Sequence, residues 1–384
     1  MQVSINSNGG PAIGICGSYG GLNVGDEAIL TVMLEQLRGA LPAVKLTVFT
    51  RDVGHTQAHH QVDRVIGARE ALRHELVSEV EQLDLLLLGG GGILYDREAE
   101  SYLHLPRIAQ SLGVPTSTYA IGAGPLERPD DRRAVAEVLN AMAGITVRDV
   151  GARRLLEEIG VERQITVTAD PALLLQPQVP PPGVLERAGS RADHHLVGIS
   201  VREPGGGGGL EDGVYHRVLA DAADFVADRY DAELVFVPME RQDVRHAHRV
   251  IAEMGLPERA TVLKDSYGPR EVLGIMGQLD MAIGMRLHFA VFAALAGVPV
   301  LALPYAAKVT SFLERIGLPA PELAHRQHAG TLLAAIDRLW DCRRHEAELV
   351  QARLPGLRDE ARRTTSFAAE LLLTEVGHAP ARAP

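Results

Sequence analysis

Aromatic side chains are scarce, only 4% of the 384 residues, so any core must be built mainly from Leu, Val, Ala and Ile. Cysteine is scarcer still. Cys16 and Cys342 are the only two, far apart and in unlike contexts, which excludes a disulfide framework or a zinc motif and fits a reducing cytosol. Basic residues are outnumbered, 38 Lys and Arg against 49 Asp and Glu. The net charge of -11 argues against nucleic acid as a partner, because such binding rests on basic surface. An anionic small substrate would need a local cluster of Arg and Lys. Long hydrophobic runs are missing as well. The longest, Phe289 to Leu303, is broken by Gly297 and Pro299 and is too short to span a bilayer. Met1 to Gly10 is polar, with no apolar signal core. A soluble, cytoplasmic protein is expected; peripheral membrane contact and homo-oligomerisation stay open.

What is present is an alternation of short apolar runs and helical periodicity. Ala12–Cys16, Lys45–Thr50, Val62–Ile66, Asp84–Leu88, Thr116–Ile121, Ile145–Val147 and Ile165–Ala169 read as strands with helices between them. That is the pattern of a doubly wound α/β domain. A Pro-rich stretch, Gln176 to Gly183, reads as an extended connector. Beyond it the pattern restarts, with strands at Leu196–Val201, Glu233–Val237, Ala260–Leu263, Leu279–Ile283 and Val298–Leu303. The expected organisation is an N-terminal Rossmann-like domain over 1–176 and a linker over 177–190. A second Rossmann-like domain follows over 191–345, then a C-terminal helix and disordered tail over 346–384. Thr331–Trp340 and Glu346–Leu373 read as long amphipathic helices.

In open parallel sheets, ligands bind outside the carboxyl ends of the strands, and the unusual residues of this chain cluster there. Arg286 and His288 stand where a buried strand turns into a buried helix, and free N–H groups at a helix start favour anions. Arg202 and Lys308 follow two other strands of the same half. In the first half a glycine-rich turn, Gly17 to Gly25, leads to Asp26 and Glu27. It matches neither the dinucleotide fingerprint nor the phosphate loop. Two acidic residues would repel phosphate, so this loop is expected to face a hydroxyl-bearing substrate or to position a cation; plain helix-start carboxylates are the alternative. Gly89 to Gly92 follow a central strand and leave room for a ligand against bare backbone, with Asp96 a candidate for hydroxyl binding or proton transfer. His55, His59 and His60 read as surface histidines. Gly205 to Gly209 read as a mobile flap. Neither the histidines nor Arg245-His246-Ala247-His248 make a convincing metal site.

These motifs together resemble the polysaccharide pyruvyl transferase family, its CsaB-type branch in particular. The similar residues are Gly17 to Glu27, Leu88 to Gly92 with Asp96, Ala120 to Pro125, Val147-Arg148-Asp149, Thr168 to Pro171, Ser200-Val201-Arg202, and Met285 to His288 with Tyr305 to Lys308. The resemblance spans residues 11–316. It implies two Rossmann-like domains facing a cleft, as in GT-B glycosyltransferases. It also implies transfer of a pyruvyl group from phosphoenolpyruvate, the co-substrate, to a sugar of a lipid-linked or cell-wall glycan. No cofactor or metal is implied. Carried onto this chain, His288, Asp96 and Asp26 would be catalytic, Arg202, Arg286, Leu287 and Lys308 would bind the donor, and Asn23, Gly90, Gly91 and Gly92 would bind the acceptor. The rival readings are a GT-B nucleotide-sugar glycosyltransferase or epimerase and a non-catalytic glycan-binding module. A weaker one makes Cys16 a nucleophile.

Overall fold

The computed structural model describes residues 10–188, 194–203, 212–304, 306–319 and 329–378. The glycine run at 205–209 and Tyr305 lie outside them. The chain divides into two compact units. One holds Met1–Leu22, Asp26–Leu175 and Leu357–Pro384; the other holds Asn23–Gly25 and Gln176–Gly356.

The first unit opens with β1 (Ala12–Cys16), α1 (Val24–Ala40), β2 (Lys45–Thr50), α2 (Val53–His59), β3 (Arg64–Gly67), α3 (Arg73–Val80) and β4 (Leu85–Leu88). It continues with β5 (Gly91–Leu94), α4 (Ala99–Ser111), β6 (Thr116–Thr118), β7 (Ile121–Ala123), α5 (Pro129–Asn140), β8 (Ile145–Val147), α6 (Val150–Glu158) and β9 (Ile165–Val167). One parallel sheet runs β3-β2-β1-β4-β6. The strand order reverses between β1 and β4, which makes their carboxyl ends the topological switch point. A second sheet, β5-β7-β8-β9, is also parallel.

That second sheet is where the sequence expectation departs most. Thr116–Ile121 is not one strand: Ala120 takes φ 49°, and the chain leaves the first sheet at Thr118 to enter the second at Ile121. Gly91 and Gly92 are strand residues rather than an open loop, and Gly92 pairs with Gly122. The second sheet is locked by a buried ion pair. Arg148 Nη1 lies 2.9 Å from Asp170 Oδ2, and a Cβ on Gly122 would stand within 2.8 Å of that guanidinium. Asp149 caps α6 through Ala152 N at 2.7 Å, and Asp170 caps the short turn Pro171–Leu174. Two of the motifs that carry the resemblance are thus structural.

The second unit comprises α7 (Val184–Ala188), β10 (His195–Ser200), α8 (Asp212–Tyr230), β11 (Ala232–Phe236), α9 (Asp243–Glu253), β12 (Ala260–Val262), α10 (Pro269–Met276), β13 (Met281–Gly284), α11 (Leu287–Ala296), β14 (Val300–Ala302) and α12 (Ala307–Ile316). Its parallel sheet runs β12-β11-β10-β13-β14, so the switch point lies between β10 and β13. α11 is apolar all round and almost wholly buried, as an Ala-rich helix between two strands must be. The Pro-rich connector is anchored to α10 by Gln178 N donating to Arg270 O at 3.0 Å. The two expected C-terminal helices are one, α13 (Ala329–His378), which runs on through Pro355. Its far end belongs to the first unit, where Thr365 bonds Tyr119 and Thr364 bonds Thr168, both at 2.6 Å.

Candidate active site

At the switch point of the second unit, Arg202 follows β10 and Arg286, Leu287 and His288 follow β13. The structure adds two acidic residues from the turn after β11. Asp243, 1% exposed, accepts from the backbone N–H groups of Met239 and Glu240. It also takes Arg286 side-on: Nε donates to Oδ2 at 3.0 Å and Nη2 to Oδ1 at 2.5 Å. Arg286 Nη2 also donates to Glu240 Oε1. Glu240 in turn accepts from Asn23 Nδ2 at 3.1 Å. Burial works against ionisation of Glu240, yet Arg286, Asn23 and the nearby Arg202 outweigh it and hold its carboxyl below the usual range. Among the described residues only Nε and Nη2 of Arg286 are engaged, which leaves Nη1 for an incoming group. Leu287 is buried. Lys308 sits in the first turn of α12, beyond the next strand of the sheet.

The Asn23–Gly25 segment closes onto this cluster. Val24 N donates to Met239 O at 2.8 Å, and Asn23 Oδ1 caps α1 by accepting from Gly25 N at 3.0 Å. Gly25 is required by a neighbour: a Cβ there would stand 1.9 Å from His288 Nδ1. The imidazole, in the first turn of α11 with Nε2 buried, is thus positioned by bare backbone. Gly25→Ala is expected to push the ring aside and lower turnover at least about tenfold, since small misplacements of a reacting group cost this much or more. Steady-state kinetics beside a thermal melt will show whether the loss is catalytic or structural.

In the first unit, Asp26 lies in the first turn of α1, and a Cβ on Gly91, which takes φ 101°, would come within 3.0 Å of its Oδ1. Asp26 and Gly91, expected from the sequence to serve the acceptor side, are therefore neighbours. The neighbouring glycines are explained by packing: a Cβ on Gly89 would strike the Tyr19 hydroxyl at 2.0 Å, and one on Gly90 would strike Ile29 at 2.9 Å. Asp96 has a structural task, accepting from Glu127 N and Arg128 N at 3.0 Å. Glu27 is buried and accepts from Gly20 N at 2.9 Å, with His60 Nε2 2.7 Å from its other oxygen. His60 is thus a buried partner and not a surface histidine. Cys16 is buried, and burial pushes its thiol up to about 12, the reverse of what a nucleophile needs.

Glu240 and Asp243 were not singled out from the sequence, although their place just after a central strand is the signal that finds them. His246 was read there only as a poor metal ligand. In α9 it is 1% exposed, with Nδ1 2.7 Å from the Tyr215 hydroxyl and 3.1 Å from His216 Nε2. The Tyr215 hydroxyl donates on to Arg202 O. Burial first, then His216, Arg245 and Arg249, lowers the His246 pKa, with Glu203 opposing. The unfolded chain, titrating near 6.5, therefore binds a proton that the folded chain refuses. Stability is full above about pH 6.5 and falls as the pH drops below it. Thermal melts at pH 7.5 and 5.5 should show this loss, and His246→Asn should reduce it.

Two doubly wound parallel α/β units, each with its distinctive residues at the carboxyl ends of its strands, define the GT-B-like class of folds. Solved structures agree. The chain resembles a UDP-GlcNAc 2-epimerase from Neisseria meningitidis bound to UDP-GlcNAc, with TM-score 0.63 and 11% identity over 95% of this chain and 100% of that one. It resembles a UDP-N-acetylglucosamine 2-epimerase from Rickettsia bellii, with TM-score 0.57 and 11% identity over 91% and 96%. It also resembles the E. coli ADP-heptose lps heptosyltransferase II, with TM-score 0.52 and 14% identity over 86% and 98%. At such identities the likeness concerns the fold. No curated protein sequence matches. The sequence pattern of the polysaccharide pyruvyl transferases matches residues 23–306, and the chain belongs to that family. Among the described residues, no helix is long and apolar enough to cross a membrane.

Proposed function

We propose that this chain moves a pyruvyl group from phosphoenolpyruvate onto two hydroxyls of a sugar in a cell-wall or exported glycan, forming a ketal and releasing phosphate. The observation that carries this reading is the switch point of the second unit, where Arg202, Arg286 and His288 gather in a chain of this family. Phosphoenolpyruvate bears a phosphate and a carboxylate, and guanidinium groups grip either in two-point fashion. Arg286 offers Nη1, the N-terminus of α11 adds the positive end of its dipole, and Arg202 and Lys308 supply further positive charge.

Protonation of the enol methylene makes C2 an oxocarbenium-like centre, and the first hydroxyl adds there. Phosphate then leaves with its bridging oxygen, and the second hydroxyl adds to the same carbon. Of the two hydroxyl protons released, one ends on the new methyl group and the other on phosphate. His288 is the shuttle, because histidine exchanges protons near neutral pH. Asp26 orients or deprotonates the acceptor. Asp96, whose oxygens already hold the 127–128 backbone, has a carboxylate's remaining lone pairs for the same purpose.

The test is to incubate the protein with phosphoenolpyruvate and a panel of lipid-linked and nitrophenyl sugars, then look for the ketal by mass spectrometry. The fold likeness favours one second reading, a nucleotide-sugar enzyme. Calorimetry with phosphoenolpyruvate against UDP separates the two, since only one should bind the protein tightly.

A further inference from the structure

The carboxyl edge of the first unit's β3-β2-β1-β4-β6 sheet, one strand from its switch point, carries a cation that the mechanism above does not use. Arg51 directly follows β2, the strand beside β1, and its backbone N–H donates to Tyr19 O. Its guanidinium lies over the Tyr102 ring, 5.6 Å from the centroid, and Nη2 donates to the Tyr102 hydroxyl. On the other side Nη1 stands 3.4 Å from where a Cβ on Gly21 would be, so the glycine-rich loop leaves this edge bare. Arg51 is half-buried, yet among the described residues no carboxylate pairs with it. Arg286 and Arg148, by contrast, each have carboxylate partners. A half-desolvated guanidinium without a counter-charge is a receptor for an anion.

The surroundings narrow the ligand. Tyr95 and Tyr102 both feel the charge of Asp26 as well as that of Arg51. Burial pushes the Tyr95 hydroxyl up to about 12, so it stays a neutral donor. One small area therefore offers an anion receptor, two aromatic side chains and a carboxylate that accepts from hydroxyls. A sugar carrying a phosphate matches all of these.

We propose that Arg51, held by Tyr102, recognises a phosphate group attached to the acceptor sugar. Asp26 and Tyr95 face the hydroxyls of that sugar. The assignment of this ligand as the acceptor rests on the pyruvyl-transfer reading; the anion site itself does not.

The test is calorimetry on the full chain with glucose 1-phosphate, methyl glucoside, glucuronic acid and phosphoenolpyruvate. Glucose 1-phosphate should bind more tightly than the other two sugars. Arg51→Gln should weaken it about tenfold or more while phosphoenolpyruvate binding stays as in the wild type. Tyr102→Phe, which keeps the ring but frees the guanidinium, should give a smaller loss, and Arg51→Lys should recover part of the affinity. Unchanged glucose 1-phosphate binding in Arg51→Gln overturns the proposal. So does an equal loss for phosphoenolpyruvate, which would make Arg51 a donor residue, and so does equally tight glucuronic acid binding, which would make the ligand a carboxylate. None of these measurements needs turnover, so an absence of ketal would count against the reaction and not against the site.

Discussion

Replacing His288 with alanine is expected to lower ketal formation by about 10²–10⁴-fold, the usual worth of a positioned acid–base group, while phosphoenolpyruvate still binds. The reason is geometric. The imidazole is held in the first turn of α11 against the bare backbone of Gly25, whereas the guanidinium that would draw the donor is fixed by Asp243 and Glu240. Under the proposed reaction, truncating it removes the proton shuttle and leaves Arg202, Arg286 and the helix N-terminus in place. Rapid-quench or steady-state assays give the rate, and calorimetry gives the donor affinity. Full turnover by the variant would discard the role assigned to His288.

Arg286→Ala should act on the other parameter. A charge-assisted hydrogen bond is worth about 1.5–3 kcal/mol, so the KM for phosphoenolpyruvate should rise roughly ten- to hundredfold. The same change strands Asp243 and Glu240, which share the guanidinium. Removing one partner of a buried pair costs about 3–5 kcal/mol, and a lower Tm is expected alongside the kinetic effect. Arg286→Lys separates the two consequences. It keeps a positive charge near both carboxylates but loses the two-point grip, so the fold should recover more than the donor affinity does. An unchanged KM in the alanine variant would show that Arg286 is there only to neutralise Asp243 and Glu240.

The paired role of Arg286 illustrates what a linear reading can and cannot supply. Its placement at the end of a central strand followed from the apolar run before it and the buried helix after it. Its partners did not, because Glu240 and Asp243 lie more than forty positions earlier and resemble any polar turn. His60 misled in the same way: surrounded by polar residues in sequence, it is buried only because Glu27, 33 positions away, folds back against it. The four glycines after β4 looked alike, yet two accommodate Tyr19 and Ile29, and a third approaches Asp26.

From the residue order alone came the strands of the two five-stranded sheets to within a few residues, the restart after the Pro-rich connector and the grouping of unusual residues at strand ends. Each of these is written in local periodicity, which neighbouring residues express without distant help. Tertiary structure decided which strand joins which sheet, the single long C-terminal helix that ends in the first unit, and which charges neutralise one another. Those outcomes depend on contacts between residues far apart in the chain, and the free energy of a buried ion pair or a close-packed glycine exists only once both partners have arrived.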